Sequence, residues 1–366
     1  MSVYSEPSGQ ESASGNKVNQ ISHFLKGEPI VLNILKSSSP RNLLAVCLLF
    51  LCSFVFGQQT SANSSGAISQ QGVGIPTANP NQVAILRWYR SNQAATFAVG
   101  KGPGQAAFDG SSMWVTNSSA NTVTKLRASD GASLGNFPAG SFPSGIAFDG
   151  GNIWVADQGS SSITKLRASD GTALGRFTVG FSPFAVAFDG INIWVANLGS
   201  SNVTKLRATD GKVLGTFLVG FAPQGIAFDG TNIWVANTGD STITKLRASD
   251  GSKVATFTAG IGPGGLAFDG TFIWVANQGS NNVTKLRASD GSVVGTFPVG
   301  SLPQSVVFDG VNIWVTDFSS NSVTKLRASD GALIGTFPTG QFPEGAAFDG
   351  ANVWVVNAGD NSISKH

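Results

Sequence analysis

The tripeptide Phe-Asp-Gly recurs at Phe108, Phe148, Phe188, Phe228, Phe268, Phe308 and Phe348, each forty residues after the one before. Trp-Val follows six residues later every time, at Trp114, Trp154, Trp194, Trp234, Trp274, Trp314 and Trp354. No insertion or deletion disturbs the period. Such a period means one supersecondary unit that cannot bury its apolar surface alone and must stack on copies of itself.

One unit, residues 141–180, reads as four short strands. Pro143 is tolerated at a strand's first residue, and Gly145-Ile146-Ala147-Phe148 is a short apolar strand. Asp149-Gly150 signals a tight turn, with glycine supplying the positive φ. Ile153-Trp154-Val155-Ala156 is apolar on both faces, as for a strand buried on both sides. After a polar loop, Ile163-Thr164-Lys165-Leu166-Arg167 forms a third strand whose charges place it nearer solvent. Ser169-Asp170-Gly171 turns the chain again, and Leu174 to Phe177 forms an outermost strand. Four strands in forty residues make the blade of an all-β propeller. The seven recurring tryptophans are expected to be structural wedges, each burying about 150–250 Å².

The phase of the repeats predicts how the ring closes. The chain enters with an outer-strand unit, Ala94 to Val99, and ends inside a third-strand unit, Asn361 to Lys365. Seven blades of four antiparallel strands follow, the last built from three C-terminal strands and one N-terminal outer strand. Pairing the two ends removes an exposed edge.

The string Pro143-Ser144-Gly145-Ile146-Ala147-Phe148-Asp149-Gly150-Gly151-Asn152-Ile153-Trp154-Val155-Ala156-Asp157 resembles NHL-type propeller repeats. Ile193 to Thr204 resembles the YVTN type equally well. The resemblance covers residues 83–366 and implies extracytoplasmic or scaffolding proteins that bind proteins, ligands or surfaces. The blade motif is also similar to the virginiamycin B lyase family, which implies a metal-assisted lyase with a catalytic histidine. The only histidines are His23 and His366, so no lyase residue carries over.

Both cysteines, Cys47 and Cys52, lie before the repeats, and Glu344 is the only glutamate beyond residue 57. Thiol chemistry, the Ser-His-Asp triad and histidine-based zinc sites are therefore unsupported within the repeats. A formal net charge of +2 offers no strong field for nucleic acid. No catalytic residue, resident metal or cofactor is expected. Asp157 and Asp317, which replace the asparagine of the other five repeats, are the weak candidates for a cation site.

Residues 1–57 read as a polar tail followed by a secretory signal peptide. Its apolar run, residues 43–56, is preceded by Lys36 and Arg41 and is short for a membrane span. Residues 58–82, rich in Gln, Ser, Ala, Asn and Gly, read as a flexible linker. These features predict a secreted, periplasmic or cell-surface monomer that touches membrane only through an uncleaved leader.

Differences between the repeats gather in the blade-to-blade loop and in the loop after the tryptophan strand. The two fall at one end of a four-strand meander, so recognition is expected on one face of the disc. The expected partner-binding residues are Phe142, Phe181, Phe184, Leu198, Phe221, Gln224, Gln278, Gln304, Phe318, Phe342 and Glu344. A Phe-rich, charge-poor face suits a protein, a peptide or a small apolar ligand. The alternatives are a lyase or hydrolase using carboxylates at the central channel, and a structural surface or spacer protein.

Overall fold

The computed structural model describes residues 95–366, which form seven four-stranded antiparallel sheets arranged as blades around a central channel. The signal-peptide, linker and residue 83–94 readings lie outside the described residues. Blade two is representative: inner strand Pro143–Phe148, second strand Asn152–Asp157, third strand Ser162–Arg167 and outer strand Ala173–Thr178. Blade one begins at Pro103, and each later blade repeats this layout.

Blade seven closes the ring as its phase requires. Its inner, second and third strands are Pro343–Phe348, Val353–Asn357 and Ser362–Lys365, and its outer strand is Ala95–Ala98. The closing pair runs antiparallel with Ala95 opposite Lys365 and Ala98 opposite Ser362. The Val99 amide then donates to the Asn361 carbonyl at 3.0 Å, and the Gly102 amide to Asn361 Oδ1 at 2.9 Å.

Cores lie between blades. Trp154 packs with Ile193, Val195 and Leu206 of the next blade, and Trp354 packs with Met113, Val115 and Leu126 across the closure. Each tryptophan also meets the phenylalanine of its own blade's outer strand, with centroids 5.3–5.7 Å apart. That phenylalanine reaches the turn glycine of the following blade. A Cβ on Gly171 would collide with the Phe137 ring, and Gly171 also holds φ +75°. Only glycine meets both demands.

The Phe-Asp-Gly aspartate does more than turn the chain. Asp229 Oδ1 accepts the Thr231 and Asn232 amides, while Oδ2 accepts the Trp234 indole N–H at 2.7 Å. The same indole bond forms in all seven blades. Burial pushes the Asp229 carboxyl up, but the indole, the Asn232 groups and the Thr231 amide outweigh it and hold the group below the usual aspartate value.

The third strand corrects the expectation that it lies nearer solvent. Its lysine is buried opposite the tryptophan, as in the Trp154–Lys165 pair. Lys165 Nζ lies 4.9 Å above the Trp154 ring centroid and donates across the seam to the Ala208 and Thr209 carbonyls at 2.7 and 3.1 Å. Five blades make both bonds, and Lys365 makes one, to the Ala128 carbonyl at 3.0 Å. Lys325 is the exception. Among the described residues it has no carbonyl acceptor across the seam to blade seven, and it sits 3.9 Å from Asp309. Only the arginine two residues on is exposed, paired with the turn aspartate three residues later, as Arg207 with Asp210 at 3.1 Å. Lysine and arginine share a strand and do opposite jobs.

Asp229→Ala removes the acceptor of a buried indole N–H and of two turn amides. It is expected to cost about 2–4 kcal/mol, read from chemical denaturation. Asp210→Ala, in the exposed turn, should leave the denaturation midpoint close to that of the parent.

Candidate functional site

Two loops of every blade meet at one end of the disc. The Gln158 amide donates to the Phe142 carbonyl at 3.0 Å, and the Leu198 amide to the Ser182 carbonyl at 3.0 Å. The blade-to-blade loop and the loop after the tryptophan strand are therefore neighbours.

The blade-to-blade loop passes through the left-handed region at one fixed position. Phe142, Ser182, Ala222, Leu302 and Phe342 hold φ of 51–54°, with Gly102 and Gly262 at the same place in their blades. For a non-glycine residue this costs about 1–2 kcal/mol. The previous blade supplies compensation, because Asn121 Oδ1 accepts the Phe142 amide at 2.9 Å and Asn321 Oδ1 accepts the Phe342 amide at 2.8 Å. Asp240 and Asp360, at a mostly serine position, accept the Phe221 and Gln341 amides as Ser160 accepts that of Ser141. These are loop clamps.

The side chains on this rim are largely apolar. Phe142, Phe181, Phe221 and Ile261 are 54%, 73%, 62% and 66% exposed. Phe342 stacks on Phe318 at 5.1 Å, and Leu198 is half-buried beneath the rim. Other exposed apolar groups, such as Leu134, Leu174 and Leu214, lie on outer strands where most blades carry an equivalent. Ile191 and Val311, 71% and 67% exposed, stand at a varying position beside the Phe-Asp-Gly turn, whereas the rim gathers Phe142, Phe181, Phe221, Ile261 and Phe342 in its loops.

The expected partner residues divide into two groups. Phe142, Phe181, Leu198, Phe221, Phe318 and Phe342 belong to the rim. Phe184, Gln224, Gln304 and Glu344 are not loop residues. Each is the second residue of an inner strand and lines a cavity of about 130 Å³ in the channel. Gln278 joins them from the loop after the tryptophan strand, its Nε2 donating to Gln224 Oε1 at 3.1 Å and Gln304 Oε1 at 3.0 Å. Gln105 and Ser305, which sequence reasoning did not select, complete the polar lining. Each is the third residue of its inner strand, and comparing that position between repeats would have found them.

Glu344 is the only charged side chain in that lining. Burial alone pushes its carboxyl up to about 7. Its backbone is fixed from blade six, where Thr316 Oγ1 donates to the Glu344 carbonyl at 3.0 Å. Among the described residues this cavity therefore offers one acid, whereas carboxylate acid–base chemistry needs two with separated pKa values.

Asp157 and Asp317 end their second strands in full burial. Asp317 Oδ2 accepts Thr324 Oγ1 at 2.6 Å and Ser322 Oγ at 3.2 Å, and Oδ1 accepts the Gly300 amide at 3.0 Å. Asp157 repeats these bonds with Thr164, Ser162 and Gly140. Their oxygens are engaged by protein donors, and among the described residues no group of three or more metal-ligating side chains exists. Burial raises both carboxyls, Asp317 to about 6. Arg176 Nε, 3.7 Å from Asp157 Oδ2, partly offsets that rise and stands where five of the seven blades carry threonine. Among the described residues Asp317 has no such partner.

The solved structures similar to this chain are β-propellers. Virginiamycin B lyase from Staphylococcus aureus matches with a TM-score of 0.65 at 17% identity, over 75% of this chain and 98% of that one. A streptogramin B lyase structure matches at 0.65 and 18%, over 75% and 96%. Hydrazine synthase from Kuenenia stuttgartiensis matches at 0.64 and 19%, over 72% and 95%. No protein-family model and no curated protein matches the sequence. The likeness agrees with the β-propeller that the seven four-stranded sheets form and fits the NHL/YVTN-type reading of the repeat.

Asp317→Asn restores the residue of the other blades and removes a charge that burial opposes. The folded state binds this proton more tightly than the unfolded chain. The favourable contribution is thus full below about pH 4 and is lost as pH rises through about 6. Asparagine should stabilise the protein by about 2–3 kcal/mol at pH 8 and by little at pH 4. Denaturant midpoints at the two pH values read this directly. Below pH 4 the lowered aspartates Asp109, Asp149, Asp229, Asp309 and Asp349 act in the opposite sense, so stability falls there as they protonate.

Proposed function

We propose that this chain is an exported, non-catalytic propeller that binds a protein or peptide partner through its Phe-rich rim. The single observation that carries the reading is the presentation of Phe181, Phe221 and Ile261 at one equivalent point of three successive blades, with Phe142 one residue further along the same loop of the blade before, all half or more exposed on clamped loops. Aromatic side chains held on a rigid backbone give contact area at low entropic cost. Exposed apolar groups gathered on one surface mark interaction sites. The export part of the proposal rests on the charged-then-apolar layout of residues 36–57.

A second reading, a hydrolase or lyase acting at the channel, is favoured by Glu344, whose carboxyl lies near 7 where a general base works best. The virginiamycin B lyase structures, one of them a catalytically inactive histidine-to-alanine variant with quinupristin, share the fold with this chain. The lone acid places this reading second.

Selection of a displayed random-peptide library on the full chain tests the binding proposal. Peptides enriched by the parent should carry aromatic or aliphatic anchors. Their affinity should fall at least tenfold on a Phe142→Ala/Phe181→Ala/Phe221→Ala variant of unchanged melting temperature. Equal binding by parent and variant overturns it.

A further inference from the structure

The channel mouth holds a site distinct from the aromatic rim. We propose that it binds the ammonium end of a primary amine, with Glu344 as counter-ion and the carboxamide oxygens of Gln304 and Gln105 as further acceptors.

Three inner strands converge here. Glu344 sits on blade seven, Gln304 on blade six and Gln105 on blade one, and all three line the same cavity of about 130 Å³. A Cβ built on Gly104 would lie 3.7 Å from Glu344 Oε1, and one built on Gly345 would lie 2.8 Å from Gln105 Oε1. The glutamate and the Gln105 carboxamide thus flank the same seam. Gln278 donates to Gln304 Oε1 and Gln224 Oε1, which fixes both amides and leaves each oxygen a second lone pair.

Among the described residues, no donor or cation satisfies the Glu344 carboxylate, and burial is the only influence on its titration. The strands packed on it, Pro303–Phe308, Pro103–Phe108 and Val353–Asn357, carry no charge. Asp317, ending Asn312–Asp317, is the one other titratable group on a packed strand, and its oxygens are turned to Thr324 and Ser322.

Chemistry selects the ligand class. Ammonium is a compact charge with three donors, matching three separate oxygen acceptors. Calcium takes six to eight oxygens, with affinity set by the number of charged ligands, and a single carboxylate serves it poorly. A free amine and a partner's lysine side chain present the same group.

Titration calorimetry of the full chain with n-butylammonium chloride tests the proposal. Only the ionised glutamate binds, so affinity should be about tenfold higher at pH 8 than at pH 6 for a carboxyl near 7. Binding at pH 6 should release a proton, read from the dependence of the heat on buffer ionisation enthalpy. Glu344→Gln should lose at least tenfold in affinity at pH 8 without a fall in melting temperature, and Phe181→Ala should lose nothing. A lysine-containing peptide run beside the amine separates the two sources, and binding of either supports the site. Undiminished binding by Glu344→Gln, equal affinity at both pH values, tighter binding of calcium, or equal binding of n-butanol overturns it. The rim reading stands or falls separately, on the triple phenylalanine variant.

Discussion

A buried ammonium under an aromatic face joins one blade to the next. Each such lysine lies over the tryptophan of its own sheet and, in five blades, donates two hydrogen bonds to carbonyls of the neighbouring sheet. A charge so placed would be costly without satisfied partners. The carbonyls and the ring satisfy it, and the indole is held in turn by the turn aspartate. Turn, wedge and seam are thus one connected device. At the seam between blades six and seven the clasp loses its carbonyls, and Trp314 is the one tryptophan of the set that solvent reaches, at 7% exposure.

Because the seams set the disc, the rim is free to carry side chains of many kinds. Its backbone is fixed by hydrogen bonds from the previous blade to the left-handed residue, whether that residue is Phe142, Leu302 or Gly262. The clamp is made through backbone amides, so it accepts different side chains at this position. This separation supports a recognition role for the rim and a different role for the channel, where polar side chains from five blades line one cavity.

The period and its phase made the blade count, the strand count and the closing strand legible. Charge misled at the third strand, because a lysine in a strand was read as a sign of solvent. The available signal was the fixed spacing of eleven residues from Trp154 to Lys165, which sets them opposite each other across a short turn. The Phe-Asp-Gly aspartate was read for its turn alone, although Trp154 follows Asp149 by five residues in a hairpin that brings them together. Phe184, Gln224, Gln304 and Glu344 were grouped with loops since they vary, yet each follows a strand-opening proline and belongs to the channel wall. Arg176 beside Asp157 was also visible as a paired departure from the repeat. The two groups of variable residues carry no period, so the repeat pattern that fixed the blades had no hold on their placement.

Every blade after the first docks through the same indole, the same aspartate and nearly the same flanking residues. A segment displaced by one full repeat would meet an almost identical neighbour and keep most of its contacts. The pairing of Ala95–Ala98 with Ser362–Lys365 is the one strand contact that joins the two ends of the described chain, so the in-register alignment of all seven blades converges on it. The ring measures its own length. Gain or loss of a whole unit would leave the packing within each blade much as it is and would be felt first where the two ends meet.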